Sequence, residues 1–270
     1  MLNKVMNTVI CGDNLKILNK FPSNFVDLTI TSPPYDKLRD YDGFKFDFEN
    51  LAKELYRVSK EGGILVWIIG DASIKGSETG SSFRQALFFK EIGFNLHDTM
   101  IYQKSGFSNP SKNRYHQIFE YMFVFSKGKP KTFNPIKDKP NKTQYNFSKK
   151  RRNKDGTMTH QNDKSRIEVQ PFGMRFNIWR YVTGRGNTTK DAIAFEHPAL
   201  FPEKLVQDHI LSWSNEGDIV LDPMNGAGTS TKMAYLLNRK FIGIDISEKY
   251  CDIARKRLET AKQQEKIKRK

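Results

Sequence analysis

The sequence predicts an α/β fold with a mainly parallel, twisted sheet and helices on both faces. Short apolar runs alternate with stretches of helical spacing, and this alternation is typical of parallel sheets. It occurs on both sides of a strongly basic segment, residues 127–190. Hydrophobic residues occupy 37% of the 270 positions and aromatic residues 12%, which suffices for a buried core and excludes a disordered chain. We therefore expect one α/β domain that carries a basic insertion.

The predicted strands are short apolar runs bounded by polar or turn-forming residues. The run from Val26 to Thr31 is rich in β-branched residues, and the two prolines after Ser32 cannot continue it. The run 63–70 is apolar throughout, as expected for a strand buried on both faces. The predicted strands span residues 8–11, 26–31, 63–70, 98–103, 119–126, 219–221 and 240–246.

The predicted helices are segments in which apolar residues recur at helical spacing between turn signals. In the second of them, Leu51, Leu55 and Val58 fall on one face. We expect the polar and glycine residues 60–63 to separate this helix from the next strand, and Gly93 to end the following helix. The predicted helices span residues 14–19, 48–58, 82–92, 202–214, 229–238 and 249–262.

Several classes of protein are excluded at this stage. The apolar runs are far shorter than the roughly 20 residues of a membrane-spanning helix, and we expect no signal peptide because the first 25 residues contain no apolar core before a cleavage site. The two cysteines, Cys11 and Cys251, lack the spacing of a zinc site or a disulfide framework. We therefore expect a cytoplasmic protein without a metal.

The positive charge is concentrated in one segment. The chain has 45 Lys and Arg against 30 Asp and Glu, a net charge of +15, and residues 127–190 carry 17 of these basic residues with only 4 acidic ones. Cations neutralise phosphates, and aromatic rings can pack or stack on bases, so the segment suggests a nucleic-acid contact. The alternative is a solvated basic loop that a few aromatic residues anchor. The interspersed aromatic residues are Phe133, Tyr145, Phe147, Phe172, Phe176, Trp179 and Tyr181. The candidate DNA-binding residues are Lys149, Lys150, Arg151, Arg152 and Lys154.

A glycine-containing loop follows the predicted strand 219–221. Glycines at Gly226 and Gly228 allow a tight turn and a close approach of the backbone to a ligand. The next strand ends near Asp245, whose carboxylate can accept hydrogen bonds from ribose hydroxyls. Asp222 would repel a pyrophosphate but suits a cationic group, so a nucleoside cofactor with a positive end is favoured over a dinucleotide.

A second polar loop, Ser32-Pro33-Pro34-Tyr35, follows the strand at Val26. Loops at the carboxyl ends of parallel strands form the active crevice of α/β folds. The prolines hold the backbone rigidly, the Ser32 hydroxyl and nearby carbonyls offer hydrogen-bond acceptors, and Tyr35 offers a flat ring. This combination suits a planar aromatic amine, although a packed loop breaker is the simpler alternative.

Together the two loops resemble the catalytic and cofactor motifs of the exocyclic-amino DNA methyltransferases, which use S-adenosylmethionine. The segment Asp222-Pro223-Met224-Asn225-Gly226-Ala227-Gly228-Thr229 is similar to their cofactor motif, with Met224 in place of the usual Phe. The catalytic motif precedes the basic segment and the cofactor motif follows it, which resembles the permuted β group of these enzymes. The resemblance implies a Rossmann-like methyltransferase fold with circularly permuted motif order.

The resemblance also implies a role for particular residues and segments. Ser32 and the Pro33 carbonyl would hold the target amine, and Pro34 and Tyr35 complete the catalytic motif, with Tyr35 stacking on a flipped base. S-adenosylmethionine would be bound by Asp13, His197, Phe201, Asp222, Pro223, Gly226, Gly228, Thr229 and Asp245. Residues 1–126 would form the catalytic half of the domain, 127–190 the target-recognition region and 191–270 the cofactor-binding half.

The target base is predicted from the first catalytic residue. Serine at position 32, followed by residues 38–41 (Leu-Arg-Asp-Tyr), resembles the cytosine-N4 enzymes, whereas adenine-N6 enzymes more often have Asp or Asn there. Cytosine N4 is therefore expected, with adenine N6 as the alternative. Methylation of RNA or of protein glutamine, and a non-catalytic DNA-binding protein, are further alternatives that the motif order and the intact motifs disfavour.

The expected partner is double-stranded DNA, and the expected product of the cofactor is S-adenosylhomocysteine. A cognate restriction endonuclease and a second copy of the chain are further partners that enzymes of this kind can have. The resemblance points to a prokaryotic or phage-encoded protein.

Overall fold

The computed structural model describes residues 5–35, 46–107, 110, 112–142, 145–146, 150–160 and 167–268. The chain divides into two compact units. The first unit comprises the residues up to Asn134 and those from Asn177 onwards, and the second is Pro135–Phe176.

The first unit is built on a sheet in which the described residues form eight strands. They are β1 Thr8–Cys11, β2 Val26–Thr31, β3 Ser59–Ile69, β4 Asn95–Lys104, β5 Phe119–Ser126, β6 Ile178–Tyr181, β7 Ile219–Asp222 and β8 Lys240–Asp245. Their order across the sheet is β1-β8-β7-β2-β3-β5-β4-β6. Only β5 runs antiparallel to its neighbours β3 and β4, whereas every other pair in the sheet is parallel. The mainly parallel sheet that the sequence predicts is confirmed.

Helices cover both faces of the sheet because the central strands are apolar on both sides. In β3, Leu65, Trp67 and Ile69 pack in one core cluster with residues of the first three helices. Their neighbours Val66 and Ile68 are equally buried, and alternation along the strand points them to the opposite face. The helices are α1 Asn14–Leu18, α2 Phe48–Val58, α3 Ser81–Glu91, α4 Glu203–Trp213, α5 Thr229–Leu236 and α6 Glu248–Lys268, with a 3-10 turn at Ala192–Glu196. Among the described helices none is long and apolar enough to cross a membrane.

The expected break between α2 and the next strand is wrong. The strand β3 begins at Ser59, directly after the helix, and runs through residues 60–63. Gly62 donates its amide hydrogen to the carbonyl of Lys127 at 2.7 Å, and the Lys127 amide donates to the carbonyl of Gly63 at 3.1 Å. Pairing with the chain just beyond β5 therefore extends the strand across residues whose local preference is a turn.

The sequence did not predict strand β6, which lies within the basic segment 127–190. It pairs in parallel with β4 at the edge of the sheet. Its residues Trp179 and Tyr181 are buried, and Phe133 stacks on Trp213 with ring centroids 4.8 Å apart. These three aromatic side chains therefore pack within the first unit, which favours an anchoring role over base stacking for them, although Phe133 remains 48% exposed.

The second unit consists of short antiparallel strand pairs. None of its side chains that the structure describes is fully buried. Arg175 forms an ion pair with Asp138, and the ammonium of Lys139 lies 4.7 Å from the ring centroid of Phe176. The paired strands are Lys139–Pro140 with Phe172–Gly173, Tyr145–Asn146 with Ile167–Glu168, and Lys150–Arg152 with Met158–His160.

Candidate active site

A cavity of about 1640 Å³ lies in the first unit, beside the carboxyl ends of the parallel strands. Strands β1, β8, β7, β2 and β3 are adjacent and parallel, so the loops that follow them meet at one edge of the sheet. Residues 12–15, 32–35, 223–227 and 245–247 from these loops line the cavity. The volume exceeds the 300–1,000 Å³ of ordinary ligand pockets. The cavity can therefore accommodate a nucleoside cofactor together with a second planar group.

The carboxylate of Asp245 organises the glycine loop. Its Oδ2 accepts a hydrogen bond from the Gly226 amide at 2.7 Å, and its Oδ1 accepts one from the Ser247 amide at 3.0 Å. Burial raises the pKa of this carboxyl, against the opposing effect of the hydrogen bonds from the backbone amides. Asp245 lines the cavity, so it can accept hydrogen bonds from ligand hydroxyls as predicted.

Gly226 meets two requirements that only glycine satisfies easily. Its φ is +48°, and a Cβ at this position would lie 2.9 Å from Nε2 of His197. The His197 ring in turn packs edge-on against Tyr250 with centroids 4.3 Å apart. Without a side chain at Gly226, a ligand can approach the backbone closely, and the carboxylates of Asp13 and Asp245 line the same cavity. These features fit the adenosine part of S-adenosylmethionine.

Asp13 caps helix α1 and also lines the cavity. Its Oδ1 accepts a hydrogen bond from the Lys16 amide at 2.9 Å. The next residue, Asn14, donates from Nδ2 to the carbonyl of Pro223 at 3.2 Å. These contacts hold the start of α1 against the glycine loop, which brings the residues after β1 and β7 to one site.

Asp222 does not line the cavity but lies behind its wall, where it is buried. Its Oδ1 accepts hydrogen bonds from the Thr31 hydroxyl at 2.7 Å and from the Met224 amide at 3.1 Å. Burial raises the pKa of Asp222 to about 6. Because Thr31 immediately precedes Ser32, this contact couples the glycine loop to the Ser-Pro-Pro-Tyr loop.

Most of the predicted cofactor residues meet at the cavity. Those that line it are Asp13, His197, Phe201, Pro223, Gly226, Thr229 and Asp245. Gly228, like Asp222, is not part of the lining, and a Cβ there would lie 2.6 Å from that of Ala254 in α6. Gly228 therefore permits close packing of α5 on α6.

The Ser-Pro-Pro-Tyr loop, residues 32–35, enters the same cavity from β2. The Ser32 hydroxyl donates to the Tyr35 hydroxyl at 3.0 Å, and the Tyr35 hydroxyl lies 2.9 Å from Oε2 of Glu120 and 3.3 Å from the Ile68 carbonyl. Lys104 places its ammonium 2.6 Å from Oε1 of the same glutamate. All four catalytic-motif residues, 32–35, line the cavity, and so do Lys104 and Glu120.

Sequence reasoning assigned Lys104 and Glu120 no role. Residues 119–127 resemble a segment of the methyltransferase family, but Phe119 stands where related sequences often have His, which weakened any role for Glu120. A single carboxylate in a strand does not identify its partner, because Lys104 comes from a different strand and Tyr35 from a loop.

Asp71 is a further cavity residue that the sequence did not predict. It follows β3 and accepts hydrogen bonds from the Ser82 amide at 2.9 Å and the Ser81 hydroxyl at 3.0 Å. Burial acts to raise its pKa, but the hydrogen bonds from Ser82, Ser81 and Thr79 together hold the pKa below its usual range. Asp71 therefore anchors the start of α3 at the cavity.

The predicted DNA-binding residues that the structure describes belong to the second unit. Arg152 and Lys154 are exposed, whereas for Lys150 and Arg151 the structure describes only the backbone strand. Lys149 and residues 38–41 lie outside the described residues. In the described part of the chain, no group of three or more His, Cys, Asp or Glu residues is placed to hold a metal ion.

A mainly parallel sheet whose glycine loop and Ser-Pro-Pro-Tyr loop line one cavity is the architecture of a Rossmann-like methyltransferase. The chain belongs to the DNA methylase family of N6 and N4 methyltransferases, whose model matches residues 26–256. The predicted family is thereby confirmed.

Similar proteins are DNA methyltransferases of more than one kind. The chain is 62% identical over 237 residues to the orphan methyltransferase M.BamHII of Bacillus amyloliquefaciens, covering 86% of this chain and 88% of that protein. It is 30% identical to the DNA adenine methyltransferase YhdJ of Escherichia coli K12, covering 94% and 83%. The solved structure of PvuII DNA methyltransferase, described as cytosine-N4-specific, has the same fold with a TM-score of 0.67 and 21% identity, covering 94% and 89%.

Proposed function

We propose that the protein is a site-specific DNA methyltransferase that transfers a methyl group to the exocyclic N4 of a flipped cytosine in duplex DNA. The observation that carries this proposal is the meeting of residues 32–35 and of the glycine loop on one cavity large enough for two ligands. Ser32 in the first catalytic position favours cytosine N4.

The cofactor is S-adenosylmethionine, which supplies an activated methyl group when bound. Asp245 accepts hydrogen bonds from the ribose, Asp13 accepts one from the adenine amine, and Gly226 leaves room for the backbone to approach. His197 and Phe201 line the adenosine pocket. Pro223, Gly228 and Thr229 shape the loop, and Asp222 provides negative charge behind it.

The catalytic loop acts on the target amine by positioning it. Enzymes that modify bases rotate the target out of the duplex, at a cost of a few kcal/mol of unstacking. Ser32 and the Pro33 carbonyl accept the two amine hydrogens, and Tyr35 packs on the base. These contacts would hold the amine nitrogen toward the activated methyl group that S-adenosylmethionine supplies when it is bound. Effective proximity is the main contribution of these residues.

The basic second unit supplies the DNA contacts in this proposal. The exposed Arg152 and Lys154 and their neighbours Lys149, Lys150 and Arg151 neutralise phosphates. The recognition role of residues 127–190, and the division into a catalytic half (1–126) and a cofactor-binding half (191–270), rest on the motif order and on the charge distribution.

The decisive experiment is modification mapping of DNA from cells that express the protein, by a method that distinguishes N4-methylcytosine from N6-methyladenine. We expect N4-methylcytosine in a defined sequence context. N6-methyladenine would instead support the alternative suggested by the adenine-methylating relative, and unmodified DNA would refute the proposed activity.

Ser32→Ala is the matched variant for the catalytic role. Losing one preorganised hydrogen-bond partner of the reacting group typically costs 10²- to 10³-fold in rate. We expect methyl transfer to DNA to fall by about that factor, with the dissociation constants for DNA and cofactor nearly unchanged. A variant that binds both ligands normally and methylates at the full rate would remove Ser32 from the mechanism.

A further inference from the structure

We propose that Glu120 is a positioning residue for methyl transfer: through the Tyr35 hydroxyl, it sets the direction in which the Ser32 hydroxyl points its proton. The inference rests on the proposed function and extends it to a residue in another strand. It applies to either exocyclic amine, because both bases present N–H groups to the same acceptor.

The geometry is a chain of short contacts along the cavity wall. Lys104 Nζ lies 2.6 Å from Glu120 Oε1, Glu120 Oε2 lies 2.9 Å from the Tyr35 hydroxyl, and that hydroxyl lies 3.0 Å from Ser32 Oγ. The side chain of Glu120 is 15% exposed and that of Lys104 is 33% exposed. This row of hydrogen-bonded side chains is therefore partly shielded from water, which strengthens each of its hydrogen bonds.

The chemistry of the groups determines the direction of every bond. A carboxylate accepts hydrogen bonds and donates none, whereas a tyrosine hydroxyl has a single proton. The Ile68 carbonyl, at 3.3 Å, is the more distant and uncharged competitor for that proton, and a charged acceptor forms the stronger bond. Tyr35 therefore donates to Glu120 and must accept from Ser32.

The consequence reaches the reacting amine. When Ser32 gives its proton to Tyr35, the lone pairs of its oxygen remain for an N–H of the target base. If these hydrogen bonds had the opposite direction, Tyr35 would donate to Ser32 and occupy one of those lone pairs. The fixed negative charge of Glu120 thus preorganises Ser32 as an acceptor before the base enters.

Lys104 explains why a glutamine at position 120 would remove the charged acceptor that fixes the direction of these hydrogen bonds. In the Glu120→Gln variant, the Lys104 ammonium attracts the amide oxygen, so the amide NH₂ faces the Tyr35 hydroxyl. Tyr35 then accepts from the glutamine and turns its own proton away from position 120. The substitution preserves the size of the side chain and reverses the hydrogen bond between position 120 and the Tyr35 hydroxyl.

The test is the single-turnover rate of methyl transfer to unmodified genomic DNA, counted as total labelled methyl incorporated, for wild type, Glu120→Gln, Tyr35→Phe and the double variant. We expect Glu120→Gln to slow the reaction by about 10- to 100-fold. The dissociation constants for DNA and for S-adenosylmethionine should each change by less than about threefold, as expected when an interaction specific to the transition state is removed.

The double variant distinguishes positioning from a general structural effect. Without the Tyr35 hydroxyl, position 120 has no route to Ser32, so Glu120→Gln should change the rate of the Tyr35→Phe protein by less than about twofold. Glu259→Gln is the matched control, because it also removes a lysine-paired carboxylate, 3.0 Å from Lys262, on the surface of α6. It should leave rate and binding at wild-type values.

The measured rates distinguish a failure of the proposed function from a failure of the positioning role of Glu120. A wild-type protein that transfers no methyl group to DNA refutes the proposed function itself. If the wild type is active, a Glu120→Gln rate within threefold of the wild-type rate overturns the positioning role. So does a double variant in which Glu120→Gln slows the Tyr35→Phe protein by the same factor as it slows wild type. A Glu120→Gln variant that only binds DNA or S-adenosylmethionine more weakly overturns it as well.

Discussion

At the scale of single residues, the site depends on carboxylates that are used in different ways. Asp245 and Asp13 line the cavity and hold backbone amides, whereas Asp222 is buried behind the wall and bridges two loops. The partner of Asp222, Thr31, is the covalent neighbour of Ser32, for which we propose a catalytic role. The environment of each carboxyl, not its residue type, therefore determines its role.

The pH dependence of stability should show the cost of burying Asp222. Burial raises its pKa to about 6 in the folded protein, against an ordinary value of 3.8. The folded state therefore holds the proton more tightly than the unfolded chain, and this residue lowers stability as the pH rises through that window. We expect the stability of Asp222→Asn relative to wild type to increase by about 2 kcal/mol between pH 4.5 and pH 8.

Urea unfolding at the two pH values measures this change. The exposed Asp252, whose side chain is 55% accessible, supplies the control variant Asp252→Asn, which should show no comparable increase. A difference between Asp222→Asn and wild type that is the same at both pH values would contradict the raised pKa.

At the scale of elements, the packing of α5 on α6 depends on Gly228. This residue has a φ of +79°, and a Cβ would lie 2.6 Å from that of Ala254. Gly228→Ala combines left-handed strain of about 1–2 kcal/mol with overpacking of about 1–3 kcal/mol. We expect the free energy of unfolding, measured by urea denaturation, to fall by about 2 to 5 kcal/mol.

Gly217 provides a control with the same backbone strain and no clash. Its φ is +83°, and a Cβ there would meet nothing within 4 Å. Gly217→Ala should therefore cost only about 1–2 kcal/mol. If the two variants were destabilised equally, close helix packing would not be the reason for glycine at position 228.

At the scale of the whole molecule, the net charge of +15 comes mainly from one segment. We expect removal of four cations from the second unit to weaken DNA binding and to flatten its salt dependence, by about 0.9 in the log–log slope for each phosphate that is no longer neutralised. The replaced residues are Lys149, Lys150, Arg151 and Arg152. Fluorescence anisotropy with duplex DNA over a range of salt concentrations measures both quantities.

The long C-terminal helix α6 allows the same change in net charge elsewhere on the chain. The control replaces Lys249, Lys256, Lys262 and Lys266. We expect this variant to keep most of the salt slope. Equal slopes for the two variants would show that net charge alone, rather than the second unit, governs binding.

The sequence by itself determined the fold class, most of the strands and helices, and the two loops of the site. Hydrophobic periodicity is a local signal, and the proline and glycine motifs leave few alternatives for the chain. Residues 32–35 and Gly226 could therefore be assigned to one active edge of the sheet from their place after predicted strands.

Only the tertiary structure decided which side chains act together across strands. The start of β3 depends on hydrogen bonds to the chain just beyond β5, which override local preference at residues 60–63. The whole of β6 depends on pairing with the distant strand β4. Glu120, Lys104 and Tyr35 meet because the order of strands brings β4 and β5 beside the loop after β2. A hydrogen-bond chain requires atoms within about 3 Å of each other, and sequence patterns specify the direction of a side chain but not that distance.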